Sequence, residues 1–497
     1  MKGTTERIVQ PNEIPLHCHE LTQAGGRMQL AYAWFPKPEE PQEVLYLADG
    51  FPGETFSLVR SQLPSAHYEI ESLAASIPLL GWYEREMAEL CGVSFRNHPE
   101  LRPLVLHEGA DPVVPPLDPG YLKEQQMPFT PRAWDLPPVE GADVQILPFG
   151  PVRGDVLESA QIVFYYVGEA ILHCHPRLFF KHRGMEKRFE GLDPRFGNLI
   201  AERISGVDSV AHSLAFCQAV EMACGCDVPL RARYLRVILA ELERLYNHVY
   251  YLGHLCHTTT LKVGEAQGKL LAEQCKQLNG FFTGNRFLRE IIKPGGLRRD
   301  LDLSDIAHRL LRLQPEIETY MQSLETTNSH LDRLITTGHL SQSTAYDQGA
   351  SGPIKRASGI QRDLRVNHPY ATYELLPMEI PVREEGDAHA RALIRMEEIR
   401  NTFVLLLTAI EEAPAGEIES ALHSSPRVEG LGWCEGTRGS IYYCVHFGPD
   451  GKLARVKVKS ASFSNWRVFP FTVHDTNMMD YAINEASFGL TMAGCDR

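Results

Sequence analysis

The sequence predicts an α+β protein: a small N-terminal α+β domain, a proline-rich linker, and a larger helix bundle with a small β-sheet at its base. Three observations predict it. Two short strand-like runs near the N-terminus precede a charged helix. A stretch rich in Pro and Gly then breaks all periodicity. Beyond it, apolar residues recur at three- and four-residue spacings through several long segments. A length of 497 residues exceeds one ordinary core and suggests two or three domains.

The first domain is read over residues 20–108. RMQLAYAWF and EVLYLADGF are strand candidates with a Pro-rich turn between them. SIPLLGWYEREMAELCG reads as a helix, with Pro78 in its first turn and Gly92 at its C-terminal end. Residues 109–143, with their many Pro and Gly, read as a semi-rigid, extended linker. The second domain is read over 144–497. Two apolar runs flank a turn at Gly168 and suggest a small sheet. Val210 to Cys224 is an apolar helix ending at Gly225. The next helix is placed from Asp227, with Pro229 in its first turn. Leu235, Ile238, Leu242, Leu245, Val249, Leu252 and Leu255 give it a single apolar stripe. Further helices are expected near 264–291, 304–336 and 387–413. A late β-hairpin is expected over 424–459, turning at Pro449-Asp450-Gly451.

Composition narrows the function. A hydrophobic fraction of 43% and a charged fraction of 23% fit a globular protein, and a net charge of −14 argues against nucleic-acid binding. No apolar run is long enough to span a bilayer, and the N-terminus lacks an apolar signal segment. The expectation is a cytoplasmic protein that meets a membrane only through partners. The eleven cysteines contain no C-x-x-C pair, so no zinc or iron–sulfur framework is visible. Cys217 and Cys224 share a helix face as small core residues.

Two motifs carry chemistry. After an apolar run, RLFFKHRGMEK sets His182, Arg183, Glu186 and Lys187 in a dense polar group. ERISGVDSVAHS then enters an apolar helix. Buried charge of this density marks either a paired structural network or a site.

These two segments resemble the core shared by nickel–iron hydrogenases and the 49-kDa subunit of respiratory complex I. GWYEREMAELCGVSFRNHPELR resembles the signature of the complex I 30-kDa subunit through Trp82 to Glu86, His98, Pro99, Leu101 and Arg102. GASGPIKRASGIQRDLR and GDAHARALIRMEE extend the 49-kDa likeness through Arg356, Asp363, Arg365, Asp387, Arg391 and Arg395. The resemblance implies a complex I 30-kDa-like domain fused to a hydrogenase-large-subunit-like domain. This is the arrangement of energy-converting, formate-hydrogenlyase-type hydrogenases.

In that family the second segment reads R-x-C-G-x-C and binds nickel. Here Ser205 and Asp208 stand at the cysteine positions. Anchoring the C-terminal family motif on Asp496-Arg497 puts Thr491 and Gly494 at the other two. A soft nickel–iron site needs thiolates, so nickel is not expected. The quinone contacts of complex I are also missing. Gly150-Pro151-Val152-Arg153-Gly154-Asp155 lacks the histidine, and Gly206 replaces the tyrosine.

The resemblance nominates Glu186, Asp208 and His212 as catalytic candidates. His182, Arg183, Ser205, Gly206, Asp363 and Arg365 are nominated to face an acceptor or a cluster-bearing partner. No metal ligand is nominated. Asp208 is expected opposite Glu186 as a proton-handling pair, the alternative being that it pairs with Arg183, Arg203 or Arg365. No cofactor is expected to bind stoichiometrically in this chain, although a quinone or another small acceptor is possible. The implied partners are an iron–sulfur small subunit of the complex I type, carrying [4Fe-4S], and antiporter-like and quinone-module-like membrane subunits. The expected function is electron transfer coupled to ion translocation on the cytoplasmic face of the inner membrane. The alternative is a non-catalytic coupling subunit.

Overall fold

The computed structural model describes residues 4–36, 40–50, 56–64, 68–121, 127–139, 141, 143–154, 158–422, 429–474 and 476–497. Asp155 and residues 424–428, which belong to two of the expected features, lie outside the described residues.

The first module contains β1 (Thr4–Ile8), α1 (Ile14–Gln23), β2 (Arg27–Trp34), β3 (Glu43–Asp49), β4 (Phe56–Gln62), β5 (Glu69–Glu71), α2 (Gly81–Cys91) and β6 (Ser94–Arg96). Its main sheet has the order β1-β4-β3-β2, with β1 parallel to β4 and the other pairs antiparallel. The sheet therefore begins upstream of residue 20. Pro78 opens a short 3-10 turn rather than α2 itself, and Gly92 ends α2 in the left-handed conformation with φ 73°. Both β2 and β3 are buried at every residue. Helices α1 and α2 lie against this sheet, and the second module also packs on it. There Tyr32 Oη meets His446 Nε2 at 2.8 Å, and Trp34 stacks on the same ring at 4.0 Å.

Two buried charges of α2, Glu84 and Arg85, serve neighbouring loops. Glu84 accepts from Ser72 Oγ at 2.5 Å and Leu73 N at 2.9 Å. Arg85 donates to the carbonyls of Arg102 and Pro103, both at 2.8 Å. These bonds replace the water that a buried charge loses.

The segment 109–143 contains no helix or strand among its described residues, apart from one bridge between Ala110 and Phe129. It does not hold the modules apart. Lys457 Nζ reaches Glu86 at 2.7 Å, Arg60 reaches Glu429 at 2.6 Å, and Arg27 donates to Ala350 O at 3.2 Å.

The second module opens with the antiparallel strands β7 (Gln145–Phe149), β8 (Gln161–Val167) and β9 (Ala170–Arg177). Its helical part contains α3 (Met185–Arg188), α4 (Gly197–Ala201), α5 (Ser209–Cys224), α6 (Leu230–Thr258) and α7 (Lys262–Thr283). After a small ladder of β10 (Ile292–Lys293) and β11 (Gly296–Leu297) come α8 (Ile306–Glu325), α9 (Asn328–Leu334), α10 (Gln342–Asp347), α11 (Gly352–Ala357), α12 (Leu364–Asn367) and α13 (Ala388–Glu412). Strands β12 (Glu429–Gly436), β13 (Gly439–Phe447) and β14 (Leu453–Lys459) form an antiparallel sheet in that order. The chain closes with α14 (Ala461–Val468), β15 (Thr476–Asn477) beside β9, α15 (Tyr481–Phe488) and α16 (Met492–Asp496).

Several boundaries differ from the sequence reading. Helix α6 begins at Leu230, because the extended backbone of Pro229, ψ 146°, makes it the N-cap. Gly284, at φ 71°, ends α7 short of residue 291. The expected helix over 304–336 breaks at Thr326–Thr327 into α8 and α9. Helix α6 also carries more than one stripe. Arg236, Glu241, Glu243, Arg244 and His248 are buried alongside its leucines. A helix surrounded by protein can bury charge on every side only when the charges are paired.

Candidate functional site

The turn 203–208 and the C-terminal helix α16 meet at one junction. A Cβ placed on Gly494 would lie 3.4 Å from Ser205 Oγ. Thr491 caps α16 by accepting from Gly494 N at 3.1 Å. Ser205 is buried, and its hydroxyl has no hydrogen-bond partner among the described residues. The loop between β12 and β13 completes the junction. Thr437 Oγ1 donates to Asp208 Oδ1 at 2.5 Å, and Arg438 Nη1 lies 3.4 Å from the same oxygen. Arg438 also donates to Gly489 O at 2.5 Å and to Thr437 Oγ1 at 2.8 Å. No sequence pattern marks Arg438; it arrives from a strand-to-strand turn.

Asp208 also acts on a carboxyl, that of Glu243 of α6. Glu243 accepts from Val210 N at 2.8 Å and Ala211 N at 3.0 Å, so it caps the first turn of α5 from outside. Burial, and then the charge of Asp208, push Glu243 up to about 8. Asn247 ties the same turn through Val207 O at 2.7 Å.

Glu186 does not face Asp208. It is held by Arg455 at 2.7 Å, Arg497 at 2.9 Å, Lys457 at 3.3 Å and the Val458 amide at 3.1 Å. These cations outweigh burial and keep the carboxylate well below its usual range. Lys457 and Arg497 also bind Glu86 of the first module, at 2.7 and 3.2 Å. The Glu186–Asp208 pair expected from the sequence is therefore replaced by a fixed anion at Glu186 and an Asp208–Glu243 neighbourhood.

The alternative arginine partners for Asp208 are engaged elsewhere. Arg183 donates to the carbonyls of Arg203 and Ile204, both at 2.7 Å, and of Ala493 at 3.2 Å. Arg203 binds Leu199 O at 2.7 Å and Glu290 at 3.0 Å. Arg365 pairs with Asp363 at 2.9 Å and Glu241 at 3.0 Å.

Asp363 and Arg365 are buried within one ionic network. Arg356 joins Asp363 and Glu435, both at 3.1 Å, and also Glu398. His248 bonds Glu398 at 2.6 Å, and Arg244 lies 3.3 Å from Glu241 and 3.4 Å from Glu398. These residues hold α6, α12, α13 and β12 together rather than facing an acceptor. His212 is likewise turned inward, with Nδ1 2.9 Å from Tyr443 Oη. Burial lowers its imidazole to about 4, so it is neutral at pH 7.

His182 and Arg183 do reach the surface, as do Arg203 and Gly206, whereas Ser205 and Ser209–Ser213 are buried. His182 Nδ1 lies 2.7 Å from Asp496 O, joining this surface to α16.

The donors gathered at the junction do not fit nickel. Ser205 and Thr491 offer neutral hydroxyls, Gly494 offers no side chain, and Asp208 is a hard oxygen donor already engaged by Thr437 and Arg438. Cys495 is buried, and burial raises its thiol well above the usual range.

Comparison with known proteins supports the architecture. Residues 12–124 match the 30-kDa subunit of respiratory-chain NADH dehydrogenase. Residues 183–276 match nickel-dependent hydrogenase, and residues 272–427 match the 49-kDa subunit of the NADH dehydrogenase. The chain is 28% identical over 434 residues to formate hydrogenlyase subunit 5 of Escherichia coli K12, covering 85% of this chain and 76% of that one. It is 33% identical over 279 residues to an NADH-quinone oxidoreductase subunit of Anaplasma phagocytophilum, covering 55% and 70%. Its fold is similar to a chain of the membrane-bound sulfane sulfur reductase, an archaeal respiratory membrane complex. That likeness has a TM-score of 0.68 and 24% identity, and covers 71% of this chain and 99% of that one. Among the described residues no helix is long and apolar enough to cross a membrane.

Proposed function

Because the chain belongs to the family of large subunits that complex I shares with nickel-dependent hydrogenases, with 30-kDa-like and 49-kDa-like modules in one polypeptide, we propose that it passes electrons from an iron–sulfur partner to a small acceptor at a junction without nickel. Its relatives are subunits of complex I and of formate hydrogenlyase. The electron transfer is coupled to ion translocation by the membrane subunits of the same assembly.

The observation that carries this reading is the group set at the four ligand positions. Ser205 presents a buried hydroxyl beside Gly494 with no partner among the described residues, which an acceptor oxygen or a water would satisfy. Arg438 supplies a positive charge next to Asp208. Glu243, raised to about 8, keeps its proton at neutral pH and adjoins Asp208. Coupled carboxyls of this kind take up or release a proton when nearby charge changes. Asp208 and Glu243 are thus assigned the proton accompanying the electron, with Ser205, Thr437 and Arg438 positioning the acceptor.

The exposed His182, Arg183, Arg203 and Gly206 are assigned to the face that docks the iron–sulfur small subunit. Antiporter-like and quinone-module-like subunits are reached through that contact, on the cytoplasmic face. A second reading, a coupling subunit without redox chemistry, draws on the locked ion pairs of Glu186, Asp363 and Arg365.

Co-expression with the neighbouring small subunit tests both. After reduction of the partner's cluster, reoxidation by a short-chain quinone is followed optically. Reoxidation that needs this chain and slows in Asp208→Asn supports electron transfer. Reoxidation at the same rate without this chain leaves the coupling reading.

A further inference from the structure

Trp82, Arg85, His98 and Arg102, four residues of the W-Y-E-R-E and H-P-E-L-R motifs, converge on one cavity of about 470 Å³ that the proposed electron path does not use. The cavity lies between the modules. Helix α2 and the following loop form one wall, and β9 forms the opposite one. All of His173 to Arg177 of β9 line it, and His173, His175 and Arg177 supply its polar side chains there. Its size lies within the ordinary range for small-molecule sites.

Its charge is unbalanced. Arg85, Arg102, Arg177 and Arg467 line it, against Glu100 and Glu108 as the carboxylates among the described residues. Arg102 is paired with Glu100 at 2.7 Å and Arg177 with Glu108. Glu100 also lies 3.2 Å from Arg85, whose other donors hold two backbone carbonyls. Arg467 is 7% exposed and donates to Pro78 O and, at 3.3 Å, to Gln348 Oε1. No carboxylate pairs with it among the described residues. A buried guanidinium without a counter-charge is costly unless an anion completes it. The histidines do not add compensating groups. Burial lowers His98, His107 and His173, and takes His175 to about 4, so they are neutral at pH 7.

The remaining wall is aromatic. Trp82 and Phe471 face the cavity, and Trp134 closes it from the Pro-rich segment, with the Arg177 guanidinium 5.2 Å from its ring centroid. Flat rings and an unpaired guanidinium suit an organic anion with a planar ring system. We propose that this inter-module cavity binds a planar aromatic anion, with its anionic group on Arg467 and its ring between Trp82, Trp134 and Phe471. Binding would join the two modules directly.

The probe is 1-anilinonaphthalene-8-sulfonate, titrated into the full-length chain. Its neutral counterpart, N-phenyl-1-naphthylamine, is the control for ring binding alone. The expected result is one sulfonate site per chain, with energy transfer from tryptophan, and about tenfold weaker binding of the neutral probe. Arg467→Met should weaken the sulfonate about tenfold and leave the neutral probe unchanged. Its melting temperature should not fall, since an uncompensated charge is removed. Trp134→Leu, at a partly exposed position, should weaken both probes and reduce the energy transfer with the circular dichroism unchanged. No saturable sulfonate binding, equal affinity for the two probes, or unaltered affinity in both variants would overturn the proposal. So would an Arg467→Met protein that melts lower yet binds the sulfonate as before, because Arg467 would then be a structural donor only.

Discussion

Asp208 Oδ1 and Arg438 Nη1 lie 3.4 Å apart, where the turn after α4 meets the turn between β12 and β13. This contact puts a carboxyl oxygen and a guanidinium where the resemblance to hydrogenases leads one to expect a thiolate. Thr437 Oγ1, at 2.5 Å, fixes the same carboxylate oxygen. The consequences of that exchange are open to direct test.

The purified chain should contain no stoichiometric nickel. Two hydroxyls, a carboxylate and a glycine do not replace four thiolates. Elemental analysis of protein expressed in nickel-supplemented medium checks this, and about one nickel per chain would contradict it.

Glu186→Gln should be strongly destabilising. Arg455, Lys457 and Arg497 would be left buried around a neutral amide. Breaking a buried ion pair of this kind costs about 3–5 kcal/mol. Urea unfolding of variant and parent measures it. A loss under about 1 kcal/mol would place the pair with solvent-screened contacts instead.

The stability that Glu243 contributes should be lost as pH rises from 4.5 to about 8. Its folded pKa, about 8, lies above its ordinary value of 4.5. The folded state therefore binds more protons in that window, and stability drops as pH climbs through it. Glu84, Glu89, Glu202 and Asp496, each raised to about 7, act in the same direction, but their contribution is spent by about pH 7. His175, His212, His248 and His330, lowered to about 4, act oppositely, their stability being lost as pH falls from 6.5 toward 4. Above pH 6.5, where these histidines no longer contribute, melting temperature should fall with rising pH and level off above about pH 8. In Glu243→Gln the last part of that fall, up to about pH 8, should flatten. An unchanged fall there would contradict the assignment.

Arg203→Glu should weaken association with the iron–sulfur subunit without altering the fold. Arg203 is exposed on the assigned docking face, where it bonds Leu199 O and pairs with Glu290 and Glu202 at the surface, contacts of small worth to the fold. Co-purification at low and high salt reads the effect, which should be larger at low salt because exposed charges are screened. Equal recovery of the partner with parent and variant would move the docking face elsewhere.

Much of the fold is legible in the sequence. The apolar run of α5 and its Gly225 stop appear as read, and the hairpin of β13 and β14 turns at the expected Pro-Asp-Gly. The fused 30-kDa and 49-kDa arrangement is readable from motifs. Less legible is whatever depends on residues far apart in the chain. Periodicity identifies the leucines of α6 but not its buried Glu241, Glu243 and Arg244, because a polar residue reads as exposed until its partner is known. Arg438 lies 230 positions from Asp208 and sits in an ordinary strand turn. Glu186 stands out in the sequence as unusual. Its partners Arg455, Lys457 and Arg497 lie on β14 and at the far end of the sequence, so its role as a fixed anion has no local signature.

The most direct test of the central claim is the reoxidation rate of the partner's reduced cluster in complexes carrying Asp208→Asn. A carboxyl that handles a proton in the rate-determining step contributes on the order of a hundredfold. The account predicts a complex that assembles with full partner content and shows reoxidation slowed by about that factor. A fully assembled Asp208→Asn complex that reoxidises the cluster at the parental rate would contradict it.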